Sequence, residues 1–551
     1  MSPSAPPRPA GVLRPEALAP RLARAEILLA GILALATAVA VVLAAPPAGD
    51  LPAHLYRTLL AREGVQLWDN LWYGGQYPLS YSLLYYLPAS IVGNTPIVLV
   101  AVVLSAALFA SVLVREWGEA GRWPARAFGV LSAGPLLTGT YSYAVGVVFL
   151  LAALRALQGG RTRLAVLAAA LALGFSPLAF LFLCLILLAV FLARGRLSSS
   201  VLTVAAGLTL LAAVEVAAIV LFPSEGRYPF SAWNLAGVLT ASILGTALAL
   251  RAEHGRALAA LFLLWGIVSL LAYIVPTPVG SNLTRLRFFI FPVGLLTAFL
   301  AHFRPRGLAL AALGLAFAYN VVPYGEAVSS HSDPRASKAA FWRPALQFLR
   351  ENSGPNYRVE VVPISDHWEA FWVPRAGFAM ARGWYRQLDV VQNEPLYRPR
   401  LSAIAYRRWL RRMAIKYVLL PRTELDDLGT RREIDLLRSG RSGLRRAFTN
   451  PDWTIYELPD AVPILTGPGR ARLTALGHDR IAGWTSRPGS YRLRVRYTRL
   501  MRVRAGRVCL TERADGMTQL VTRRDGRFVL TLGGGAGQVV LSVVRGRAKG
   551  C

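Results

Sequence analysis

The chain has 551 residues, of which 54% are hydrophobic and only 17% are charged, and its mean hydropathy is +0.42. This composition excludes a soluble globular enzyme, a disordered chain and a small disulfide-stapled domain. The formal charge is +31, yet the basic residues are spread through apolar sequence and form no nucleic-acid-binding motif. We therefore expect membrane lipids and lipid-linked phosphates as partners, and no nucleic acid.

Long apolar runs occupy the sequence up to residue 322 and predict a polytopic α-helical membrane protein. We expect a cytoplasmic tail over residues 1–24 and a transmembrane domain over residues 25–322, with a first outer loop at 46–95. The first apolar run is longer than the apolar region of a signal peptide, so it predicts an uncleaved anchor. The eleven predicted spans are 25–45, 96–114, 127–138, 143–157, 164–174, 178–193, 199–221, 231–250, 257–275, 287–301 and 307–322.

Arginine is unevenly distributed between alternate loops of this domain. With the N-terminus inside, the cytoplasmic loops would carry twelve arginines and the short outer loops five, which agrees with the positive-inside rule. Eleven spans then place residues 323–551 outside a plasma (inner) membrane. A nine-span alternative, with 127–157 and 164–193 as single long helices, keeps this orientation but moves three arginines outside. With eleven spans, the turns at 139–142 and 174–177 are expected to line a cavity that opens outward.

The C-terminal part is less apolar and predicts two extracytoplasmic domains. Residues 323–460 are expected to form an α/β domain and residues 461–551 a β-sandwich, in which 491–497 alternates strictly between apolar and arginine side chains. The predicted elements of the α/β domain are helices at 341–352 and 396–414 and strands at 359–362, 416–420 and 453–458. Further strands of the sandwich are predicted at 506–511, 517–522, 527–532 and 537–544.

The chain contains three cysteines. Cys184 lies in a predicted span and is expected to be a core residue. Cys509 and Cys551 both lie in the outer half, where oxidation is permitted, and we expect a disulfide between them that closes the sandwich. Two free thiols are the alternative.

The first outer loop is the most informative segment of the chain. Pro52 suits the first turn of a helix, which makes Asp50 a candidate N-cap. His54 and Arg57 follow at i+4 and i+7, so one short helix would present a carboxylate, an imidazole and a guanidinium on the same face. Capping alone would explain Asp50, but it does not explain this stripe of three residues.

Three segments of the membrane half together resemble a known group of enzymes: the stripe of Asp50, His54 and Arg57, the sequence WYGG at 72–75, and the stretch 278–286. The layout is similar to the C-type glycosyltransferase (GT-C) superfamily, with many spans, an acidic residue in the first outer loop and a C-terminal outer domain. The nearest resemblance is to bacterial membrane proteins labelled as related to 6-pyruvoyl-tetrahydropterin synthase. Pterin chemistry itself finds no support, because the histidines lack metal-ligand spacing.

The resemblance implies transfer of a sugar from a polyprenyl-phosphate donor to an envelope glycan or lipid acceptor on the outer face. The acceptor hydroxyl must lose a proton as it attacks, and Asp50 is the candidate general base. The leaving phosphate gains negative charge, so fixed guanidinium groups should stabilise it, while aromatic rings could stack on sugar or form an interfacial belt. The candidate substrate-binding residues of the membrane half are His54, Arg57, Trp72, Tyr73, Arg285 and Arg287. Snorkelling at the membrane interface is the alternative for Arg285 and Arg287.

A divalent metal often accompanies paired acids in the first loop of these enzymes. Here the acids that follow Asp50 are Glu63 and Asp69, which are distant in sequence, so the pattern argues against a metal and assigns no metal ligands.

Two segments of the outer half, 366–369 and 382–389, combine aromatic and charged residues on predicted loops, where functional residues concentrate. Trp384, Arg386 and Asp389 are candidates for covering the cavity and contacting the acceptor. A core tryptophan flanked by surface charges is the alternative.

Two other functions fit the same layout. One is a lipid or glycan transporter or flippase, although the related halves with broken helices that transporters commonly contain are not found in this sequence. The other is a non-catalytic GT-C-like envelope scaffold that binds glycan without transferring it.

Overall fold

The computed structural model describes residues 18–44, 47–195, 197–223, 226–329 and 333–532. Helix makes up 58% of the fold, and a region of β-sheet follows the apolar helices. The first 17 residues of the expected tail, the predicted strand 537–544 and Cys551 lie outside the described residues. The disulfide between Cys509 and Cys551 therefore stays a prediction.

The N-terminal region is helical. Nine helical segments of the described residues are long and apolar enough to cross a membrane, so the fold is compatible with a polytopic membrane protein. The helices are α1 (Pro20–Ala44), α2 (Leu51–Arg62), α3 (Tyr86–Val92), α4 (Asn94–Trp117), α5 (Arg122–Leu131), α6 (Gly134–Thr138), α7 (Tyr141–Gln158), α8 (Thr162–Phe175), α9 (Pro177–Arg194), α10 (Ser199–Leu221), α11 (Ala232–Ala249), α12 (Arg256–Ile274), α13 (Arg287–Leu300) and α14 (Arg306–Ser329).

Two predicted turns are present as breaks between helices. Gly139, with a φ of 76°, lies between α6 and α7. Ser176 lies between α8 and α9 and caps α9 with its side-chain oxygen. Residues 127–157 and 164–193 are therefore not continuous helices, contrary to the nine-span alternative.

Two predicted spans have different boundaries. The span predicted at 127–138 is divided into α5 and α6, and Pro135 in the first turn of α6 supports the break because it has no amide hydrogen to continue the preceding helix. α14 continues to Ser329, although its predicted span ends at 322.

Small side chains bring α1 close to its neighbours. Ala30, Ala34 and Ala38 are fully buried in the core that α1 shares with α4 and α5. A Cβ at Gly129 of α5 would lie 2.8 Å from the carbonyl oxygen of Ala30, so the two backbones are in contact there. α10 is the opposite case, because it has no buried residue among those described.

The α/β region contains one four-stranded sheet in the order β1-β2-β4-β3, in which β1 and β2 are parallel and the other pairs are antiparallel. Its elements are α15 (Ala339–Asn352), β1 (Arg358–Val361), α16 (Glu369–Arg375), α17 (Arg386–Gln392), α18 (Ala403–Arg412), β2 (Ile415–Pro421), α19 (Arg431–Arg438), β3 (Arg445–Thr449) and β4 (Trp453–Glu457). The helix predicted at 396–414 is wrong in its first half, where a 3-10 turn at 394–397 precedes α18. The sequence does not predict β3, because this strand is mostly exposed and lacks apolar alternation.

The C-terminal region contains two four-stranded sheets, β10-β11-β8-β5 and β6-β7-β12-β9, which share one hydrophobic core. Its strands are β5 (Leu465–Thr466), β6 (Ala471–Leu476), β7 (Arg480–Thr485), β8 (Gly489–Arg496), β9 (Met501–Ala505), β10 (Val508–Glu512), β11 (Met517–Thr522) and β12 (Gly526–Leu532). The sequence predicts none of β5, β6, β7 and β9. Inward positions of β7 are held by Gly483 and Thr485, and most of β9 is exposed, so neither strand has a strong apolar pattern.

The first outer loop connects the three regions. The amide of Asn70 donates to the carbonyl of His478 over 2.8 Å, and the amide of Arg496 donates to the carbonyl of Gly74 over 2.8 Å. Asp69 is fully buried and accepts from Tyr56 Oη at 2.9 Å, while His478 Nδ1 lies 3.0 Å from its other oxygen. These contacts fix the β-sheet region against the loop that carries the candidate base.

Candidate functional site

Asp50 occupies the N-cap position of α2, but its side chain does not cap the helix. The capping explanation is therefore wrong. Its Oδ2 instead lies 3.9 Å from Nη2 of Arg285, which precedes α13. The Asp50 and Arg285 side chains keep 23% and 18% of their surface exposed, so both can be reached by solvent.

The backbone of Asp50 is held against the turn between α6 and α7. A Cβ at Gly139 would lie 2.6 Å from the Asp50 Cβ and 2.7 Å from its amide nitrogen. Gly139 also has a φ of 76°, which side chains with a Cβ rarely adopt. Glycine is therefore required at this position both by its conformation and by the space that Asp50 occupies.

The environment of Asp50 gives its carboxyl group the properties of a base. Burial raises the pKa of Asp50 from 3.8 to about 6, although the positive charges of Arg285, His367 and Arg386 act in the opposite direction. A carboxylate with a pKa near 6 is ionised at neutral pH and accepts a proton more readily than an ordinary aspartate.

His54 is buried and contacts the same glycine, Gly139, as Asp50 does. Its Nε2 lies 2.8 Å from the carbonyl oxygen of Gly139, and a carbonyl only accepts, so Nε2 carries the hydrogen. The other ring nitrogen, Nδ1, accepts from Tyr86 Oη at 3.2 Å. Burial lowers the pKa of His54 to about 3, so the ring is neutral. His54 therefore fixes the α6–α7 turn beside Asp50.

Arg57 lies one turn further along the same face of α2. It is only 4% exposed, its Nη1 donates to Tyr385 Oη, and its guanidinium stacks 4.2 Å from the centre of the Tyr86 ring. The ion pairs of the described residues do not include Arg57. This buried cation therefore connects α2 to the α/β region through aromatic groups.

The α/β region contributes a charged cluster to the same place. His367 Nδ1 lies 2.9 Å from Glu369 Oε1, and Arg386 Nη2 donates to Asp426 Oδ2 over 2.9 Å and lies 3.3 Å from His367 Nε2. Burial disfavours the charged form of His367, but the hydrogen bond to Glu369 and the nearby Asp426 outweigh it and raise the pKa of His367. A Cβ at Gly49 would lie 3.9 Å from Asp366 Oδ1, so this cluster adjoins the start of α2.

Aromatic rings from both halves meet at the same site. The ring centre of Tyr81 lies 6.0 Å from that of His54, 5.9 Å from that of Trp384 and 6.2 Å from that of Tyr385. Trp384 is partly exposed, whereas Tyr385 is buried. The rings of Tyr81 and Trp384 therefore border the space next to the charged groups.

Three candidate binding residues of the membrane half lie elsewhere. Trp72 and Tyr73 are fully buried, and they donate to the carbonyls of Ala370 and Tyr385. Arg287 packs toward α14, with its guanidinium 5.9 Å from the centre of the Tyr319 ring. These three residues therefore stabilise the packing around the site.

Asp389 belongs to a buried network inside the α/β region, which we call the Arg382 cluster and which consists of Glu360, Arg382, Asp389 and Glu433. Arg382 Nη2 lies 2.6 Å from Asp389 Oδ2, and its Nη1 lies 3.7 Å from Glu360 and 3.8 Å from Glu433. Burial raises the pKa of Glu433 to about 7 and raises that of Glu360 well above its ordinary value. Asp389 is therefore a structural residue, and the expectation that it lies on a loop is wrong because it is part of α17.

Sequence reasoning missed Tyr228 and Asp426. Tyr228 precedes α11 and is electrostatically coupled to both Asp50 and Arg285. Asp426 holds Arg386 next to His367. No sequence signal points to either residue, because each acts through partners that are far away along the chain.

The charged groups that act most strongly on Asp50 are cationic, which suits an anionic ligand better than a divalent metal. Within the described ranges, no three His, Cys, Asp or Glu side chains converge as a metal-binding group. No known protein-family model matches this sequence, and no curated protein matches it.

Proposed function

We propose that this protein is a membrane glycosyltransferase that moves a sugar from a polyprenyl-phosphate donor to an envelope glycan or lipid acceptor, in a plasma (inner) membrane with residues 333–532 outside. The proposal rests on one observation above all. Asp50 is an accessible carboxylate whose pKa is raised to about 6, and cationic groups from two separate regions surround it. The resemblance of the first outer loop to GT-C enzymes points in the same direction.

The proposed reaction needs a base and a cationic pocket close together. The acceptor hydroxyl attacks the anomeric carbon and gives its proton to Asp50, a new glycosidic bond forms, and the bond from the sugar to the lipid phosphate breaks. The bonding electrons leave with the phosphate oxygen, whose negative charge is stabilised by fixed guanidinium groups. Arg285 and Arg386 are suited to this role because each combines a full charge with partial exposure.

The base and the phosphate-binding groups come from different parts of the chain. Asp50 and Arg285 border the apolar helices, where a lipid-linked donor would enter, and Arg386 and Trp384 belong to the α/β region, where an envelope acceptor would enter. The partly exposed ring of Trp384 beside Tyr81 offers a surface on which a sugar can stack. This division between lipid side and aqueous side favours a transferase over a transporter.

The decisive experiment uses the full-length protein in proteoliposomes that contain a radiolabelled polyprenyl-phosphate hexose and an envelope lipid or glycan extract. Asp50→Asn should lower the rate of transfer by about 10²- to 10⁴-fold, the usual contribution of a general base, while lipid binding is retained. Glu63→Gln is the matched control, because Glu63 ends the same helix but its side chain is 45% exposed.

Three outcomes are distinguishable. Loss of transfer in Asp50→Asn alone supports the proposal. Movement of labelled lipid across the bilayer, without transfer and with no effect of Asp50→Asn, would establish a flippase instead. Glycan binding with neither transfer nor lipid movement would establish a scaffold.

A further inference from the structure

A large hollow lies away from the candidate site. Its volume is about 840 Å³, which is within the range of ligand-binding pockets. It is formed by the turn between α11 and α12 and the turn between α13 and α14. The lining residues are Arg251, Glu253, Ala301, His302, Arg304 and Pro305.

This hollow is at the opposite end of the apolar helices from the candidate site. The segment before α11 contacts the α/β region, since a Cβ at Gly226 would lie 2.2 Å from the carbonyl oxygen of Gln387. α11 then runs for 18 residues, or about 27 Å, before the turn that carries Arg251. In the same way, α13 begins beside Arg285 and ends before His302. The hollow therefore faces the other membrane surface.

The two turns are fixed in place relative to each other. The amide of Glu253 donates to the carbonyl of Leu300 over 3.1 Å. Beneath the hollow, the ends of α11, α13 and α14 share an apolar cluster whose buried residues are Leu248, Ala298, Ala301, Ala309 and Ala312. His302 adopts a left-handed conformation with a φ of 50°, which is uncommon for a residue that has a side chain. The hollow is therefore built on a packed base.

The charges of the lining residues suit a phosphodiester. Arg251 donates to the carbonyl of Ala247 in the last turn of α11, and neither Arg251 nor Arg304 takes part in an ion pair of the described residues. Guanidinium groups bind phosphate oxygens through paired hydrogen bonds. Glu253 adds one carboxylate. This carboxylate would repel a purely anionic ligand, whereas it would attract an ammonium group.

The surroundings are those of a lipid headgroup site. Leu250, which precedes Arg251, and Leu310, near the start of α14, are both largely exposed, as expected of side chains that contact acyl chains. Basic pockets between membrane helices at the polar surface are known binding sites for phospholipid headgroups.

We propose that this hollow binds the phosphoethanolamine headgroup of a membrane phospholipid. Arg251 and Arg304 bind its phosphate, and Glu253 accepts a hydrogen bond from its ammonium group. The proposal is independent of the transfer reaction, because none of these residues belongs to the candidate site.

The test is native mass spectrometry of the purified full-length protein titrated with phosphatidylethanolamine, phosphatidylglycerol or phosphatidylcholine of the same acyl chains. The Arg251→Gln/Arg304→Gln variant should bind phosphatidylethanolamine about 30-fold more weakly, because each basic group near a membrane surface contributes about one factor of five or six. Arg161→Gln/Arg163→Gln is the matched control, since both residues are exposed at the start of α8, at the same end of the apolar helices.

Glu253→Gln tests the headgroup separately. It should reduce the preference for phosphatidylethanolamine over phosphatidylcholine, whose quaternary ammonium cannot donate a hydrogen bond. Equal binding of the three lipids by the wild-type protein would overturn the proposal, and so would equal weakening by the two double variants. Neither result depends on whether a variant has transferase activity.

Discussion

The substitution Asp50→Asn should stabilise the folded protein, although it removes the proposed base and with it the transfer of sugar. The folded protein holds the proton of Asp50 up to about pH 6, whereas the unfolded chain releases it near the ordinary pKa of 3.8. The free energy of unfolding of the wild type therefore falls as the pH rises from 3.8 to 6. Asparagine does not ionise, so the free energy of unfolding of the variant does not fall in this way. The difference between the two pKa values corresponds to about 3 kcal/mol.

The assay is the thermal unfolding midpoint in detergent between pH 4 and pH 8. Asp50→Asn and the wild type should have similar midpoints near pH 4. Above pH 6 the variant should be more stable by up to about 3 kcal/mol, equivalent to about 3 °C for a chain of this length.

Two results would refute this reasoning. One is an Asp50→Asn variant that is less stable than the wild type at pH 7, which would mean that the contact with Arg285 outweighs the burial of the carboxylate. The other is a difference in midpoint that stays constant from pH 4 to pH 8, which would mean that Asp50 does not titrate in this range.

Three further substitutions test the packing around the site and inside the α/β region. Gly139→Ala should lower the free energy of unfolding by about 1–3 kcal/mol more than Gly160→Ala does. Both glycines have a positive φ, but only at Gly139 would the new Cβ lie within 3 Å of backbone atoms. Equal shifts of the thermal unfolding midpoint in the two variants would contradict this. Arg382→Met should destabilise by about 3–5 kcal/mol by leaving buried carboxylates unpaired, whereas Arg398→Ala removes an exposed helical ion pair and should cost less than about 1 kcal/mol in the same melts. Glu360→Gln should stabilise the protein at pH 8 but not at pH 4, because burial and a neighbouring carboxylate hold the pKa of Glu360 well above 4.5; a pH-independent effect in denaturant titrations would rule this out.

The sequence predicts those features that depend on local patterns. Apolar runs locate the helices, since burial in a membrane requires about 20 apolar residues in a row. The spacing of Asp50, His54 and Arg57 predicts one helix face, because residues four and seven positions apart lie on the same side of a helix. α2 contains His54 and Arg57, and Asp50 is its N-cap residue, so the predicted helix is present. Asp50 lies next to Arg285, whereas Arg57 contacts Tyr385 and Tyr86, so a shared role of the three side chains stays a prediction.

Long-range packing decides what the sequence does not predict. Trp72 and Tyr73 have the composition of a sugar-binding segment, yet their polar atoms bond to the carbonyls of Ala370 and Tyr385, some 300 positions away. Local sequence carries no information on such partners. Asp389 is a similar case, because the burial that makes it structural depends on the whole Arg382 cluster.

The contacts between the first outer loop and the β-sheet region determine when the site can form during biosynthesis. His478, which pairs with Asp69, is synthesised 409 positions later. At typical translation speeds, the loop that carries Asp50 is synthesised about 20–80 s before this partner. A chain released before that point would lack the contacts that hold this loop against the β-sheet region.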